Sequence, residues 1–129
     1  MQLGIGAWHR YMQSQDPELL AELIHPEAVF HSPVVHTPQQ GREIVLKYLM
    51  AAGDVLGNET FRYVREVVDG PEVVLEFVAE LDGIKINGID MIRFDMEGRI
   101  IDFKVMVRPL KAINKVWEMM GAQLQKTSA

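Results

Sequence analysis

Three short turn signals between residues 60 and 107 constrain this chain more than any other feature. Asp69-Gly70-Pro71, Asp82-Gly83 and Glu97-Gly98 divide that stretch into four runs rich in β-branched and aromatic residues. Asp-Gly between apolar runs is a strong hairpin signal, because both residues tolerate the positive φ that a tight two-residue turn requires. Thr60 to Val107 is therefore predicted to form a four-stranded antiparallel meander. Side chains alternate across a sheet, so each turn also fixes which residues share a face. A two-residue loop at Asp82-Gly83 sets Leu81 opposite Ile84, Phe77 opposite Gly88 and Leu75 opposite Asp90. A two-residue loop at Glu97-Gly98 sets Phe94 opposite Ile101, Ile92 opposite Phe103 and Asp90 opposite Val105.

The two registers agree on one face that is apolar throughout, except for Asp90. Glu66 falls opposite Leu75 on the same face, at its open edge, if the first hairpin closes at Gly70-Pro71. The other face carries Glu80 opposite Lys85, Arg93 opposite Asp102 and Arg65 opposite Glu76, the charge complementarity expected of cross-strand neighbours. Val74, Val78, Ile89, Met91 and Met106 lie among those pairs, too apolar for a face that meets only water. A second copy of the chain is expected to cover it, giving a homodimer through the outer sheet face.

Helical signals surround the meander. Leu3, Ala7 and Tyr11 recur at helical spacing, with Trp8 and Met12 on a neighbouring stripe. Asp16-Pro17 supplies an N-cap and a first-turn proline for a short helix that His25-Pro26 stops. Ala28 to His31 reads as a short strand, Ser32 to Gln40 as a loop, and Gly41 to Ala52 as a helix. Pro109 opens a C-terminal amphipathic helix whose apolar stripe is predicted to be Leu110, Ile113, Trp117, Met120 and Leu124. The fold class is α+β, and residues 1–129 are expected to form a single domain.

Composition removes several functions. A net charge of -5 at pH 7, with basic residues dispersed, excludes a nucleic-acid stripe. The absence of cysteine removes thiolate nucleophiles, thiolate zinc sites and disulfides. No His-x-x-x-His pair has a carboxylate nearby, and no phosphate-cradling glycine loop is present, so neither a metal nor a cofactor is expected. No run is apolar enough for a membrane span and no signal peptide is evident, which points to a cytoplasmic protein.

Asp90 carries the chemistry. Burying a carboxylate without a cation favours its neutral form, which can donate a hydrogen bond to a developing oxyanion. His31 and His36 flank the loop expected at the pocket mouth, and His31 is the candidate base. Trp8, Tyr11, Ser32, Tyr48, Phe77 and Phe103 are expected to line a pocket for a small hydrophobic molecule, together with Phe61 and Tyr63.

The run Gly88-Ile89-Asp90-Met91-Ile92-Arg93-Phe94-Asp95, followed by Gly98-Arg99-Ile100, resembles the ketosteroid isomerase strand whose Asp donates a hydrogen bond to the dienolate oxygen. Pro26-Glu27-Ala28-Val29-Phe30, through Ser32-Pro33 to Gly41, resembles the first strand, loop and following helix of the same group. That group is the nuclear transport factor 2-like superfamily, which includes ketosteroid isomerases, SnoaL-like polyketide cyclases, scytalone dehydratase and limonene epoxide hydrolase. The resemblance implies a cone-shaped fold with helices on the concave face of a curved sheet, commonly dimeric. It implies for Asp90 the role of the neutral acid that serves ketosteroid isomerase in its oxyanion hole. The isomerase base position holds Ser32 here, and its first-helix Tyr position holds Trp8, with Tyr11 one turn away. Three readings stay open: cofactor-free isomerisation, cyclisation or dehydration of a small carbonyl compound, a non-catalytic ligand-binding or dimerisation module, and an interaction domain with a filled cone.

Overall fold

The computed structural model describes residues 3–128, with side chains described for residues 4–126. The chain runs α1 (Leu3–Ser14), α2 (Pro17–Leu23), β1 (Ile24–His31), β2 (Gln39–Gln40), α3 (Arg42–Leu56), β3 (Arg62–Asp69), β4 (Glu72–Leu81), β5 (Ile84–Phe94), β6 (Ile100–Arg108) and α4 (Leu110–Ser128). The strands form one curved, unclosed, six-stranded sheet in the order β2-β1-β6-β5-β4-β3. β3 to β6 are the predicted antiparallel meander, while β1 adds to it in parallel alongside β6.

Each N-terminal junction has a local cause. The Asp16 carboxylate accepts the Glu18 backbone N–H at 3.0 Å, and Pro17 occupies the first helical turn of α2. The strand that follows starts earlier than the predicted Ala28. Pro26 forces His25 into the extended region, so β1 begins at Ile24 directly after α2. The pairing of β1 with β6 is interrupted between Ile24 and Val29, the stretch in which Pro26 has no N–H to give. α3 continues past the predicted Ala52 to Leu56, where Gly57 turns the chain.

The β4–β5 hairpin has the predicted register, with Asp82 and Gly83 at φ 51° and 80° as a tight primed turn requires. The β5–β6 turn is one residue longer than predicted. The Asp95 side chain accepts the backbone N–H groups of Glu97 and Arg99, and its own N–H donates to the Arg99 carbonyl, leaving three residues in the loop. The slack emerges as a bulge at Ile101, so Phe94 faces Ile100 instead of Ile101, and it is Ile100 that is fully buried. Beyond the bulge Ile92 faces Phe103 and Asp90 faces Val105, as predicted.

The helices cover the inner face of the sheet, and the core lies between them around Phe30, Phe77, Phe103, Leu75 and Ile92. α1 contributes Ile5, Trp8 and Tyr11; the side chain of Leu3, placed on this stripe by its spacing, lies outside the described ones. On α4 the buried residues are Ala112, Val116 and Met120, of which Met120 is on the predicted stripe. Leu110 and Trp117 are left 71% and 63% exposed, because α4 turns Ala112 and Val116 towards α3, β5 and β6 in their place.

Candidate functional site

The inner face of β5 brings Asp90 into the core, where it is the one buried charged or polar residue among those described, at 7% exposure. It faces a cavity of about 70 Å³. α1 supplies Trp8 and Tyr11 to the lining, β4 Phe77, β6 Phe103, α3 Gly53 and α4 Val116 and Met120. The Ser32-Pro33 segment after β1 reaches the same space.

A hydrogen-bonded chain crosses the cavity wall. The Trp8 indole N–H donates to the Tyr63 hydroxyl at 3.1 Å, and that hydroxyl donates to Asp90 Oδ2 at 2.6 Å. With the phenol oxygen occupied by the indole, its proton has one place to go. Asp90 Oδ1 has no protein partner among the described residues, yet no fully buried polar side-chain atom is left without one. Oδ1 therefore opens onto the cavity.

Burial pushes the Asp90 carboxyl up to about 7, against the pull of the Tyr63 hydrogen bond, which lowers it. Burial also raises the Tyr63 phenol well above its usual range, and the adjacent Asp90 charge adds to that. Tyr11 is raised too, by burial and then by Asp54. At neutral pH the site thus holds a carboxyl near half-ionisation beside two phenols that keep their protons.

The sequence-predicted site residues divide into two groups. Asp90, Trp8, Tyr11, Ser32, Phe77 and Phe103 meet at the cavity. Tyr48 instead stacks on Phe30, with ring centroids 5.3 Å apart, and does not line it. His31 is turned away: alternation along β1 puts Phe30 inward and His31 on the other face, where Nε2 lies 2.9 Å from Asp102 Oδ1. His36 is exposed, and Glu66 pairs with His9 at 2.7 Å near the rim. The geometry therefore places no histidine beside Asp90. Phe61 and Tyr63 line the cavity too, and what sequence reasoning missed is the bond from Tyr63 to Asp90. Alternation counted from Glu66 turns Tyr63 outward, but β3 carries an irregularity between Tyr63 and Arg65 that restores it to the inner face. Among the described residues no three His, Cys, Asp or Glu side chains gather as a metal-holding group, and no helix is long and apolar enough to cross a membrane.

Helices on the concave side of an open curved sheet, with a buried acid on the third meander strand, define the ketosteroid isomerase-like class of the nuclear transport factor 2-like fold. The chain belongs to the SnoaL-like domain family, whose pattern matches residues 5–103. It is similar in structure to a steroid delta-isomerase from Pseudomonas aeruginosa, with 41% identity and TM-score 0.90 over 96% of this chain and 90% of that one. A bacterially conserved protein of cystatin-like fold from Silicibacter pomeroyi shares 28% identity and TM-score 0.86 over 95% and 86% of the two chains. A protein of nuclear transport factor 2-like fold and unknown function from Mesorhizobium loti has 21% identity and TM-score 0.70, over 84% and 93%. Among curated proteins no sequence matches this chain.

Proposed function

We propose that the Asp90 cavity binds a small hydrophobic carbonyl compound and moves a proton on it without a cofactor, isomerisation being the simplest outcome. One observation carries this reading: a carboxyl near half-ionisation at neutral pH, with one oxygen fixed by Tyr63 and the other facing an apolar cavity. A base of this strength has a useful population of both forms at working pH. Ionised Asp90 takes a proton from the carbon beside the carbonyl. The C–H electron pair moves into a C=C bond and the carbonyl oxygen takes the negative charge. Tyr11, the other phenol on the lining, is the candidate donor to that oxygen. Returning the proton from Asp90 to the far end of a conjugated enolate shifts the double bond and restores the carboxylate. A single carboxyl serves both steps, which removes the need for His31 as base.

The isomerase named among the similar structures is consistent with this proton transfer. The test is conversion of 3-cyclohexenone to its conjugated isomer, followed by ultraviolet absorbance. Turnover that Asp90→Asn lowers by about 100-fold or more supports the reading. Binding without turnover moves the protein to the second reading, a non-catalytic ligand-binding module, which is favoured by the lack of a second carboxylate or histidine on the lining.

We also propose that a second copy covers the outer sheet face, where Val67 and Met106 are 53% and 48% exposed beside Val74, Ile89 and Met91. Met106→Lys is expected to turn a dimer into a monomer by analytical ultracentrifugation. A wild-type protein already monomeric at high concentration contradicts this part.

A further inference from the structure

The lining of the Asp90 cavity is unusual in what it omits. Besides Asp90 the titratable groups facing it are the phenols of Tyr11 from α1 and Tyr63 from β3; α3, α4 and the strands contribute no Lys, Arg or His. Asp54 acts on Tyr11 from behind the lining. The rest is largely apolar, with Trp8, Phe30, Phe61, Phe77 and Phe103 as its rings. The Trp8 and Phe103 rings lie 5.2 Å apart, and Phe61 stacks on Phe77 at 5.3 Å, so ring surfaces enclose the space from α1, the β3 approach and the sheet. A carboxylate in such a box has no counter-ion from the protein.

We infer that the same cavity is a binding site for small tertiary ammonium cations, with Asp90 Oδ1 accepting the single N–H and the aromatic rings contacting the alkyl groups. The inference rests on the cavity of the proposed function being a ligand site, and it assigns that site a second ligand class. Three features of the geometry match this chemistry. A tertiary ammonium has one donor, and the carboxylate has one free oxygen, since Oδ2 is held by Tyr63. Its alkyl groups carry much of the positive charge, and aromatic faces attract such groups. A primary ammonium brings three donors where Asp90 offers one free oxygen, and presents fewer alkyl groups to the rings. A partly open cavity of about 70 Å³ admits a compact amine.

The two ligand classes ask different things of one group. A carbonyl oxygen is offered the Tyr11 phenol as donor whichever form Asp90 takes, whereas an ammonium needs the carboxylate ionised and not neutral. Asp90 crosses between those states at about 7. Amine binding is expected to weaken roughly tenfold for each pH unit below 7, once the carboxyl is protonated. Amines of this kind should also inhibit any proton transfer at the site competitively.

The test uses N-methylpyrrolidine, protonated throughout this range as aliphatic amines are, and cyclopentanone as an uncharged carbonyl of the same size. Both are titrated into the full-length protein at pH 5.5, 6.5 and 8. The readout is the Trp8 indole N–H resonance, with exposed Trp117 as internal control. The expected result is amine binding that strengthens with pH, while cyclopentanone binding stays level. Asp90→Asn, which keeps the shape of the side chain, should lower amine affinity on the order of 100-fold and change ketone affinity far less. Amine binding that ignores pH, or that survives Asp90→Asn, overturns the inference. Ketone binding without amine binding overturns it too, yet leaves the proposed function standing. If neither ligand moves the Trp8 signal, both readings fall.

Discussion

The two faces of β5 solve the problem of carrying charge in opposite ways. On the outer face Arg93 meets Glu72 at 2.6 Å, and on β3 and β4 Arg65 meets Glu76 at 3.4 Å, each pair with access to water. On the inner face Asp90 has only a phenol for company. An outer carboxylate has a cation and solvent to stabilise its charge. The inner one has neither, and its ionisation moves into the range where proton transfer at neutral pH becomes possible. The difference teaches that a meander's alternation is enough to separate acids paired at the surface from one buried without a cation.

Asp90→Asn should break that contrast most strongly. Activity on a small enone is expected to fall 10²–10⁴-fold, the usual worth of a positioned acid or base. Stability should change with pH in a defined direction. Asp90 ionises near 3.8 in the unfolded chain and near 7 in the fold, so the folded state holds this proton more tightly. The associated stability is fully present below pH 3.8 and is lost as pH rises through 7, about 4 kcal/mol in total. Denaturation of wild type and variant at pH 4 and pH 8 should show the variant gaining by that order relative to wild type. A difference that stays flat with pH means that Asp90 is not buried without a cation.

Gly88→Ala attacks the same face through packing. A β-carbon at Gly88 would lie 2.5 Å from the Phe77 ring and 2.6 Å from the Met106 carbonyl oxygen. Phe77 is 1% exposed and the carbonyl belongs to the neighbouring strand, so neither can give way freely. A loss of about 2–3 kcal/mol is expected in urea unfolding. Tyr63→Phe should cost less, about 1–2 kcal/mol, for the lost bond to Asp90 and the Trp8 N–H left without its acceptor. It has a second signature. The Tyr63 bond holds the Asp90 carboxyl down, so removing it should move the pH midpoint of activity above 7. An unmoved midpoint would show that Tyr63 does not tune the acid.

Much of this contrast was legible in the sequence because hairpin registers are arithmetic. Asp82-Gly83 placed Leu75 opposite Asp90, and the structure has that pair. What alternation could not reveal were its interruptions. The three-residue loop closed by Asp95 exchanges Ile101 for Ile100, and the irregularity after Tyr63 turns a phenol towards Asp90. Asp95 itself illustrates why such loops are hard to read. Partial burial pushes its carboxyl up, but the backbone N–H groups of Arg99 and Glu97 and the Arg99 guanidinium outweigh that and hold it low. This is a tertiary balance that no spacing rule encodes. On α4 the stripe through Trp117 and the stripe through Val116 both have helical periodicity and share Met120, and packing on α3, β5 and β6 selects the second. His31 is turned from Asp90 because β1 stays extended through it.

The outer face supplies the smallest expected effect. Arg93 and Glu72 have side chains 57% and 46% exposed, so their pair is screened by water and its loss should be nearly neutral. Arg93→Ala is therefore expected to change the monomer's unfolding free energy by no more than about 0.5 kcal/mol. A covered outer face changes that expectation. A second copy lying on Val74, Ile89, Met91 and Met106 would also take water from the Arg93–Glu72 pair. Removing one partner of a desolvated pair leaves the other charge uncompensated, at a cost of about 3 kcal/mol or more. Urea denaturation of Arg93→Ala at protein concentrations about a hundredfold apart distinguishes the two cases, because only a dimer's stability depends on concentration. A small, concentration-independent change keeps the outer face a solvated surface, with the contrast to Asp90 at its sharpest. A large change that grows with concentration means that both faces of β5 bury charge, and that the outer one keeps its ionised form by bringing its own counter-ion.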